Sequence, residues 1–534
     1  MNFKQIFKQP INVIFSASLA LVILVALGII PRFGGAFLVL VLILGFILRF
    51  PLRQGVSLFL RSIPFFIALP ITQNFDNFST WRIVLVVIFL KWLFTQTNWL
   101  KKETVLKSDL NKKYISIWLK KNKIEALGIL FFGISFLSLF VAHDYIAGTK
   151  QIIYLLNAVF LFIVVKDLIA KDKGNFFEFT KNFAYSGILA VAVGYIQFIS
   201  AYFTPAGVFH YWWGQVFSLG MYGTQWANIV TNFGNTWFSY SGDTLRLRMF
   251  STFPDSHSFP IYVIMTLPSI MVLGFSRIKI FYSYLMGENK KLFKNLKWNS
   301  PQANFIVGLA LLMLALILSG TRGIWLAILP TMAAVWILKR MGIPKRFIKI
   351  TANLSLLFLF MFPFYFGIVS FRQFQDTGFS AQASFARLRS LVSFSETSNS
   401  GRIYIWKETI ESISKSPLLG VGAGNYPVVL DELQTAARAG ASAHNLYLHI
   451  ASTIGVFGLL VFLWFLWDLL IKSIKYLKHN KHPLYSLYIA VSLFSFVWIF
   501  SYLMTDAALF DGRASLAFMA LLGTMVPILN KKNE

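Results

Sequence analysis

Apolar runs of roughly 17–25 residues recur along the whole chain, each long enough to cross a hydrocarbon core as a helix. Backbone amides inside a bilayer must pair among themselves, so only helices and closed barrels can span it. These runs lack the alternation of barrel strands. Only 13% of residues are charged, against about 25% in an ordinary soluble domain. The chain therefore reads as an all-α polytopic membrane protein with about 12–14 transmembrane helices. The expected spans are 12–30, 35–50, 56–72, 81–97, 126–143, 150–168, 183–205, 258–274, 303–319, 322–338, 349–370, 445–471, 484–504 and 512–528. The run 56–72 carries Arg61, Pro64 and Pro70 and is expected to be broken or tilted.

The charges say how the spans are threaded. Loop 101–125 holds eight lysines against three acids, and 275–300 holds six basic residues against one acid. Lys339, Arg340, Lys345, Arg346 and Lys349 cluster in the next loop of this kind, and 472–481 holds four lysines. Fourteen alternating spans put all four segments on one side with both termini. The positive-inside rule makes that side cytoplasmic. The formal net charge of +28 is thus accounted for by short loops facing anionic lipid. No nucleic-acid-binding module accompanies it. Cysteine is absent, which excludes disulfide and thiol chemistry. The first apolar run follows Lys4 and Lys8 like a signal peptide, but no small-residue cleavage site follows it, so it reads as a retained helix.

Two long loops then face outward, 206–257 and 371–444. The first is rich in Trp and Tyr, as in VFHYWWGQVF and GNTWFSY; interface-lying segments explain that content. In the second, GRIYIWKETIESISKSPLLGVGAG predicts a helix capped by Ser400 or Asn399, with Ile403, Ile405, Ile410 and Ile413 on its apolar face. AQASFARLRSLVSF predicts a second short amphipathic helix with Arg387 and Arg389 on its polar side.

Four outer elements carry candidate chemistry. LRLRMFSTFPDSHSFP supplies Arg246, Arg248, Asp255 and His257 just outside a span, and SGTRGIWLAIL puts Arg322 in a tight outer turn. Arg402 and Trp406 precede the turn Gly420–Gly424, which lacks the Lys-Ser/Thr of a nucleotide phosphate loop. SAHNLYLHIASTIGVFGLL opens with His444 and Asn445 at the start of a span, and Gly455 and Gly458 farther along favour close packing against a neighbour. Each residue also has a plainer reading, as an interfacial anchor, a turn or a cap. Together, Arg248, Arg322 and Arg402 form a group of arginines with few acids. Such a group suits an anionic ligand, and a diphosphate is the natural one, because a guanidinium meets phosphate oxygens bidentately and stays charged when desolvated. A histidine among them can take a proton from an attacking hydroxyl. No Asp-rich metal motif is visible on this face.

These motifs resemble the O-antigen ligase and Wzy-type polysaccharide polymerase superfamily of bacterial membrane glycosyltransferases. His444-Asn445, nine residues, then Gly455-Val-Phe-Gly458 is similar to the family pattern HN-x9-G-x-x-G. Arg402, Trp406, Pro417, Gly420 and Gly422 follow the family's Arg-x-x-x-Trp…Pro-Leu-x-Gly-x-Gly run. SGTRG is similar to its Ser-Arg-Gly element at Arg322, and RMFSTFPDS to its Arg-x-x-Gly-Thr-Phe…Pro-Asn element at Arg248, with Ser251 in place of the glycine and Asp255-Ser256 near the Pro-Asn place.

The resemblance covers about residues 180–505; the first spans match only in hydropathy. It implies a GT-C-like architecture in which 1–180 supplies N-terminal transmembrane helices, 181–528 is the catalytic membrane domain with both outer loops, and 529–534 is a short cytoplasmic tail. It further implies an enzyme of the bacterial cytoplasmic (inner) membrane that takes a glycan from a polyprenyl-diphosphate-linked donor, with no cofactor and no metal. A lipid-linked or saccharide acceptor, membrane lipids and inversion at the sugar carbon complete the expectation. His444 takes the family's catalytic place, and Arg248, Arg322 and Arg402 its diphosphate-binding places. Asn445, Asp255, Glu408, Glu411 and Trp406 are candidates for support. Polymerase and ligase stay open as alternatives. A transporter or flippase for lipid-linked oligosaccharide is the alternative of another class; it should show charged or broken-helix sites near mid-membrane and related halves.

Overall fold

The computed structural model describes residues 9–69, 79–96, 122–224, 226–228, 237–241, 244–287, 297, 299–375, 397–430, 442–479 and 482–530. Among them, eleven helices are long and apolar enough to cross a membrane. In chain order the main helices are α1 (Pro10–Ala26), α2 (Arg32–Arg49), α3 (Leu52–Ser62), α4 (Thr80–Thr95), α5 (Lys123–Leu137), α6 (Tyr145–Lys171) and α7 (Gly174–Ser200). They continue as α8 (Ser258–Arg277), α9 (Pro301–Leu318), α10 (Arg322–Arg340), α11 (Lys345–Phe360), α12 (Thr397–Lys415), α13 (Leu446–His479), α14 (Pro483–Tyr502) and α15 (Gly512–Leu529). The chain is a multi-pass membrane protein, but the expected fourteen spans are not fourteen equal helices. α1 and α4, with 17 and 16 residues, are shorter than the eleven.

The expected span 56–72 is the one that stops short. α3 ends at Ser62, a short 3-10 turn Ile63–Phe65 follows, and the chain runs on extended. Pro64 has no amide hydrogen and its ring blocks the preceding turn, so the helix cannot continue. Arg61 is buried at that end; it donates from Nε and Nη2 to Asn182 Oδ1 and from Nη1 to Asn12 Oδ1. Amide oxygens and the faces of Phe15 and Tyr185 thus surround the charge.

α8 and α14 sit at the centre and are almost wholly buried. α7, α10 and α15 pack around α8 and α14, and α6 runs along α15. Small residues set these close approaches: Gly187 faces Thr266, and Gly523 faces Val165 and the carbonyl of Phe162. One end of the bundle is tied by Arg53–Glu178 at 2.9 Å, Lys123–Asp468 at 2.9 Å and Lys171–Asp167 at 2.7 Å. The opposite end gathers the starts of α8, α10, α13 and α15 with the ends of α7, α9 and α14, and it carries the loops that hold the candidate residues.

Loop 206–257 forms real structure. A continuous irregular helix runs 206–222, with a π-helical turn Tyr211–Phe217 in its middle, where Tyr211 and Trp212 stay exposed. An antiparallel hairpin, β1 (Phe238–Ser241) with β2 (Thr244–Leu247), was not foreseen. In loop 371–444 the predicted helix exists as α12 but begins at Thr397, so Ser400 and Asn399 lie inside it and are not its cap. The predicted apolar face is also not the inner one. Ile403 and Ile410 are exposed, whereas Thr409 is buried and Ile405 packs on Tyr426 and its neighbours. The stretch with Arg387 and Arg389 lies outside the described residues.

The largest departure is in α13. Gly455 has φ +82 and ψ +170, so the helix breaks there instead of presenting a smooth face. The segment Pro417–Val421 inserts at the break: Val456 N donates to Pro417 O at 2.8 Å and Val421 N to Ser452 O at 2.8 Å. A broken helix in a bilayer needs such partners for its freed backbone groups. A Cβ on Gly455 would lie 1.9 Å from Leu418 O, and one on Gly420, at φ +65, 2.3 Å from Ser452 O. On helical Gly458 it would meet only the side chain of Ile454. Gly455→Ala is therefore expected to destabilise the detergent-solubilised protein by more than the roughly 1–3 kcal/mol of backbone strain alone. Gly458→Ala should change its thermal unfolding little, and equal midpoints for the two variants would contradict the break.

Candidate active site

His444 has φ +44, a left-handed conformation uncommon outside glycine. Such strain, about 1–3 kcal/mol, persists only when both flanks are fixed. Before it, Trp406 Nε1 on α12 donates to Ala443 O at 3.0 Å. After it, Leu446 N donates to Leu503 O at 2.8 Å, and Asn445 Oδ1 caps α13 by accepting from Tyr447 N and Leu448 N. Trp406 and Asn445 thus hold the histidine in place without themselves offering a titrating group. The inserted segment below, which clasps α13 at Gly455, fixes the short helix Leu446–Ile454 that His444 heads.

Around His444 the fold collects charges from three distant parts of the sequence. Arg402, His257 and Asp506 all act electrostatically on its ring. Burial is the main cause that pushes the imidazole below its ordinary value; Asp506 opposes the shift, and Arg402 and His257 add to it. The ring therefore favours the neutral form, in which one nitrogen can accept a proton. Asp506 is buried, and its Oδ1 accepts from Ala507 N and Ala508 N. Burial works to raise its carboxyl, but His257, His444 and Arg402 outweigh it and hold the group well below the carboxylate range.

His257 stands between the acid and an arginine. Its Nδ1 is 2.7 Å from Asp506 Oδ2 and 2.9 Å from Tyr502 Oη, while Arg248 Nη2 is 3.4 Å from its Nε2. Nδ1 thus faces the carboxylate and the phenol, and Nε2 faces the guanidinium. Arg248 also donates from Nε to Ser319 O and from Nη2 to Thr321 Oγ1, each at 3.3 Å, and is only 9% exposed. It thereby grips the turn before α10, whose first residue is Arg322. The next residue, Gly323, lies against Tyr502 and Thr505. Ser251, which stands where the resembled element has glycine, adopts φ +56. Its Oγ donates to Ala190 O and its amide to Gln197 Oε1, so hydrogen bonds hold a serine in the conformation.

The sequence reading thus placed His444, Arg402 and Arg248 in one cluster, with Arg322 on its edge. Arg322, Arg402, His257 and His444 are all partly exposed, while Arg248, Tyr502 and Asp506 lie behind them. Asp255 is not directed at the histidine: its Oδ1 accepts from His257 N and Ser258 N and so caps α8. Glu408 and Glu411 act on Lys415 farther down α12. His257, singled out only as one polar residue of its loop, and Asp506 and Tyr502, not singled out, are the residues that sequence reasoning missed. One signal was available for Asp506: TDAALFDGR places acids at the outer end of a span in a chain with only 21 acidic residues.

Residues 307–463 match the family model described as O-antigen ligase. Over that segment the chain is similar to the O-antigen ligase family. No curated protein matches the chain. The O-antigen ligase segment contains Arg322, Arg402, His444, Gly455 and Gly458; Arg248, His257, Tyr502 and Asp506 come from outside it. The fold alone brings the two sets together.

Beside the cluster, Asp511 caps α15 by accepting from Arg513 N and Ala514 N. The protein packed around it, with the Asp255 charge nearby, pushes its carboxyl up to about 6, against the pull of Arg513. A folded-state value above the unfolded one, about 3.9, means that the folded state binds the proton more tightly. Stability is then lost as pH rises from about 4 through 6, and the penalty is complete above that. Asn keeps the cap and removes the charge. Asp511→Asn is expected to raise the unfolding midpoint at pH 7.5 relative to wild type and to flatten its pH dependence between 4 and 7. A variant whose midpoint falls with pH as steeply as wild type would contradict this assignment.

Proposed function

We propose that this protein transfers a glycan from a polyprenyl-diphosphate-linked donor to a sugar hydroxyl at the outer face of the cytoplasmic membrane, as a polysaccharide polymerase or an O-antigen-type ligase. The observation that carries the reading is the meeting of His444 and Arg402 with the Arg248–His257–Asp506 chain at one end of the bundle. The O-antigen ligase match supports the class of reaction. In this reading the basic, ion-paired end faces the cytoplasm.

The chemistry follows from the groups. The donor's prenyl chain stays in the bilayer, and its diphosphate meets Arg322 and Arg402, with Arg248 behind them. His444 accepts the proton of an acceptor hydroxyl as that oxygen attacks the first sugar carbon of the donor. The new carbon–oxygen bond forms as the bond to the diphosphate breaks, with inversion at carbon, and polyprenyl diphosphate leaves with its charge matched by guanidinium groups. No step draws on a metal ion. Asp506 and Tyr502 hold His257, which accepts from Arg248 and keeps that guanidinium in plane.

A purified, defined polyprenyl-diphosphate oligosaccharide supplied to the reconstituted protein tests the reading. A ladder from donor alone identifies a polymerase, and a single transfer to added acceptor lipid identifies a ligase. Transfer should persist in chelator, and no transfer to any acceptor would overturn the proposal. His444→Ala is expected to lower turnover by about 10²–10⁴-fold, the usual worth of a general base, with normal insertion. The wild-type rate should be level above neutral pH and fall below the ordinary histidine pKa of about 6.5, because a protonated ring cannot accept the proton. Full turnover in the alanine variant would remove His444 from this role. Arg322→Lys keeps the charge but loses the planar fork, so kcat/KM for the donor should drop roughly tenfold or more. Unchanged donor kinetics would contradict a bidentate grip.

A further inference from the structure

Arg82 has no part in the chemistry above, and its surroundings are unlike those of the other buried arginines. It sits in the first turn of α4, at the candidate-site end of the bundle. Its neighbour Trp81 lies against Gly512 at the head of α15, next to Asp511. The guanidinium carbon of Arg82 is 3.6 Å from the ring centroid of Tyr154 on α6 and 4.4 Å from that of Trp81. Nε and Nη1 are enclosed and have no hydrogen-bond acceptor, and among the described residues no carboxylate pairs with the group. Arg61 and Arg513, by contrast, are satisfied by amide, hydroxyl and carbonyl oxygens. A second unmet group lies alongside: Asn157 donates to Arg82 O at 3.4 Å while its own Oδ1 has no donor.

A half-enclosed cation with no counter-charge is costly beside hydrocarbon. Two aromatic faces offset part of that cost, about 0.5–2 kcal/mol. They also fix the plane of the guanidinium and leave its Nη2 edge outward on a partly exposed residue. The level matters as well. α6 begins at Tyr145, so Tyr154 lies nine residues inside it, beside the first turn of α15. Arg82 itself is in the first turn of α4, whose 16 residues span about 24 Å and so leave its ends near the headgroup layers of a core about 30 Å thick, where anionic groups are phosphates and arginine is their preferred partner.

We propose that Arg82, framed by Trp81 and Tyr154, is a binding site for the phosphate group of a membrane lipid, separate from the cluster around His444. Occupancy completes the charge balance of α4 and staples a lipid against α6 and α15. The inference depends on the chain crossing a membrane and not on glycan transfer.

The test uses the full chain in neutral detergent, with thermal unfolding and native mass spectrometry as readouts. The probes are a short-chain phosphatidate, the matching phosphatidylcholine and inorganic phosphate. Phosphatidate is expected to raise the wild-type midpoint in a saturable way, as a ligand of the folded state must, and to remain bound at one more copy per chain than in Arg82→Gln. In that variant the lipid-free midpoint should change little, and the shift with phosphatidate should fall at least tenfold in sensitivity. Arg82→Lys should keep part of the shift. An equal phosphatidate response in wild type and Arg82→Gln overturns the site. A response to inorganic phosphate as strong as to phosphatidate overturns its assignment to lipid. A lipid-free midpoint that collapses in both Arg82→Gln and Arg82→Lys makes the arginine structural and overturns the proposal as well. None of these readouts involves transfer, so failure here leaves the test of His444 untouched.

Discussion

A helix in hydrocarbon can be interrupted only where other groups take over its hydrogen bonds, and the site depends on one such exchange. At Gly455 the ladder of α13 opens, and Pro417–Val421 supplies a carbonyl to Val456 N and an amide to Ser452 O. The exchange fixes two things together. It anchors the C-terminal side of α12, which carries Arg402 and Trp406, to the membrane bundle. It also leaves Leu446–Ile454 as a short helix whose first residues are pinned to Leu503, at the end of α14. His444 lies where those two constraints meet, and its left-handed backbone is the local consequence.

Electrostatics then gives the pinned residues different characters. Asp506, buried among His257, His444 and Arg402, keeps its charge against the cost of burial. It satisfies His257 through Nδ1. Burial and the neighbouring cation meanwhile hold His444 toward its neutral form. A neutral imidazole in that place can accept a proton. At the opposite end of the bundle, lysine and arginine are paired with glutamate or aspartate, as at Arg53–Glu178 and Lys123–Asp468.

Much of this was legible in the residues. Apolar length alone located the spans, because a bilayer sets one thickness for every crossing. The fault at 56–72 was visible in Arg61 and Pro64, and the structure ends α3 there. His444, Arg402 and Arg248 were named from residue type and position, and they converge. Periodicity gathered Ile403, Ile405, Ile410 and Ile413 on one apolar face of α12 without saying what it meets; Ile403 and Ile410 are exposed, because the surface that α12 packs on comprises Tyr426, Val429 and Ala443 and not a broad apolar core. The glycine pair at 455 and 458 was read as one smooth face. Spacing cannot distinguish a glycine chosen for smallness from one needed for positive φ.

The sequence by itself determined the class of molecule, the approximate crossings, the segregation of charge between loops, and a set of arginines with one histidine on a common side. These follow from one-dimensional quantities: hydropathy over a window, charge per loop, and residue chemistry. Only the tertiary structure decided that Asp506 and Tyr502, from the end of α14, complete His257 from the start of α8, that Asp255 caps a helix, and that α13 breaks to receive a loop. Those facts depend on contacts between residues as much as 249 positions apart, as at His257 and Asp506. Such pairings are chosen by how helices cross and which backbone groups are left unpaired, and no local pattern in the chain encodes that choice.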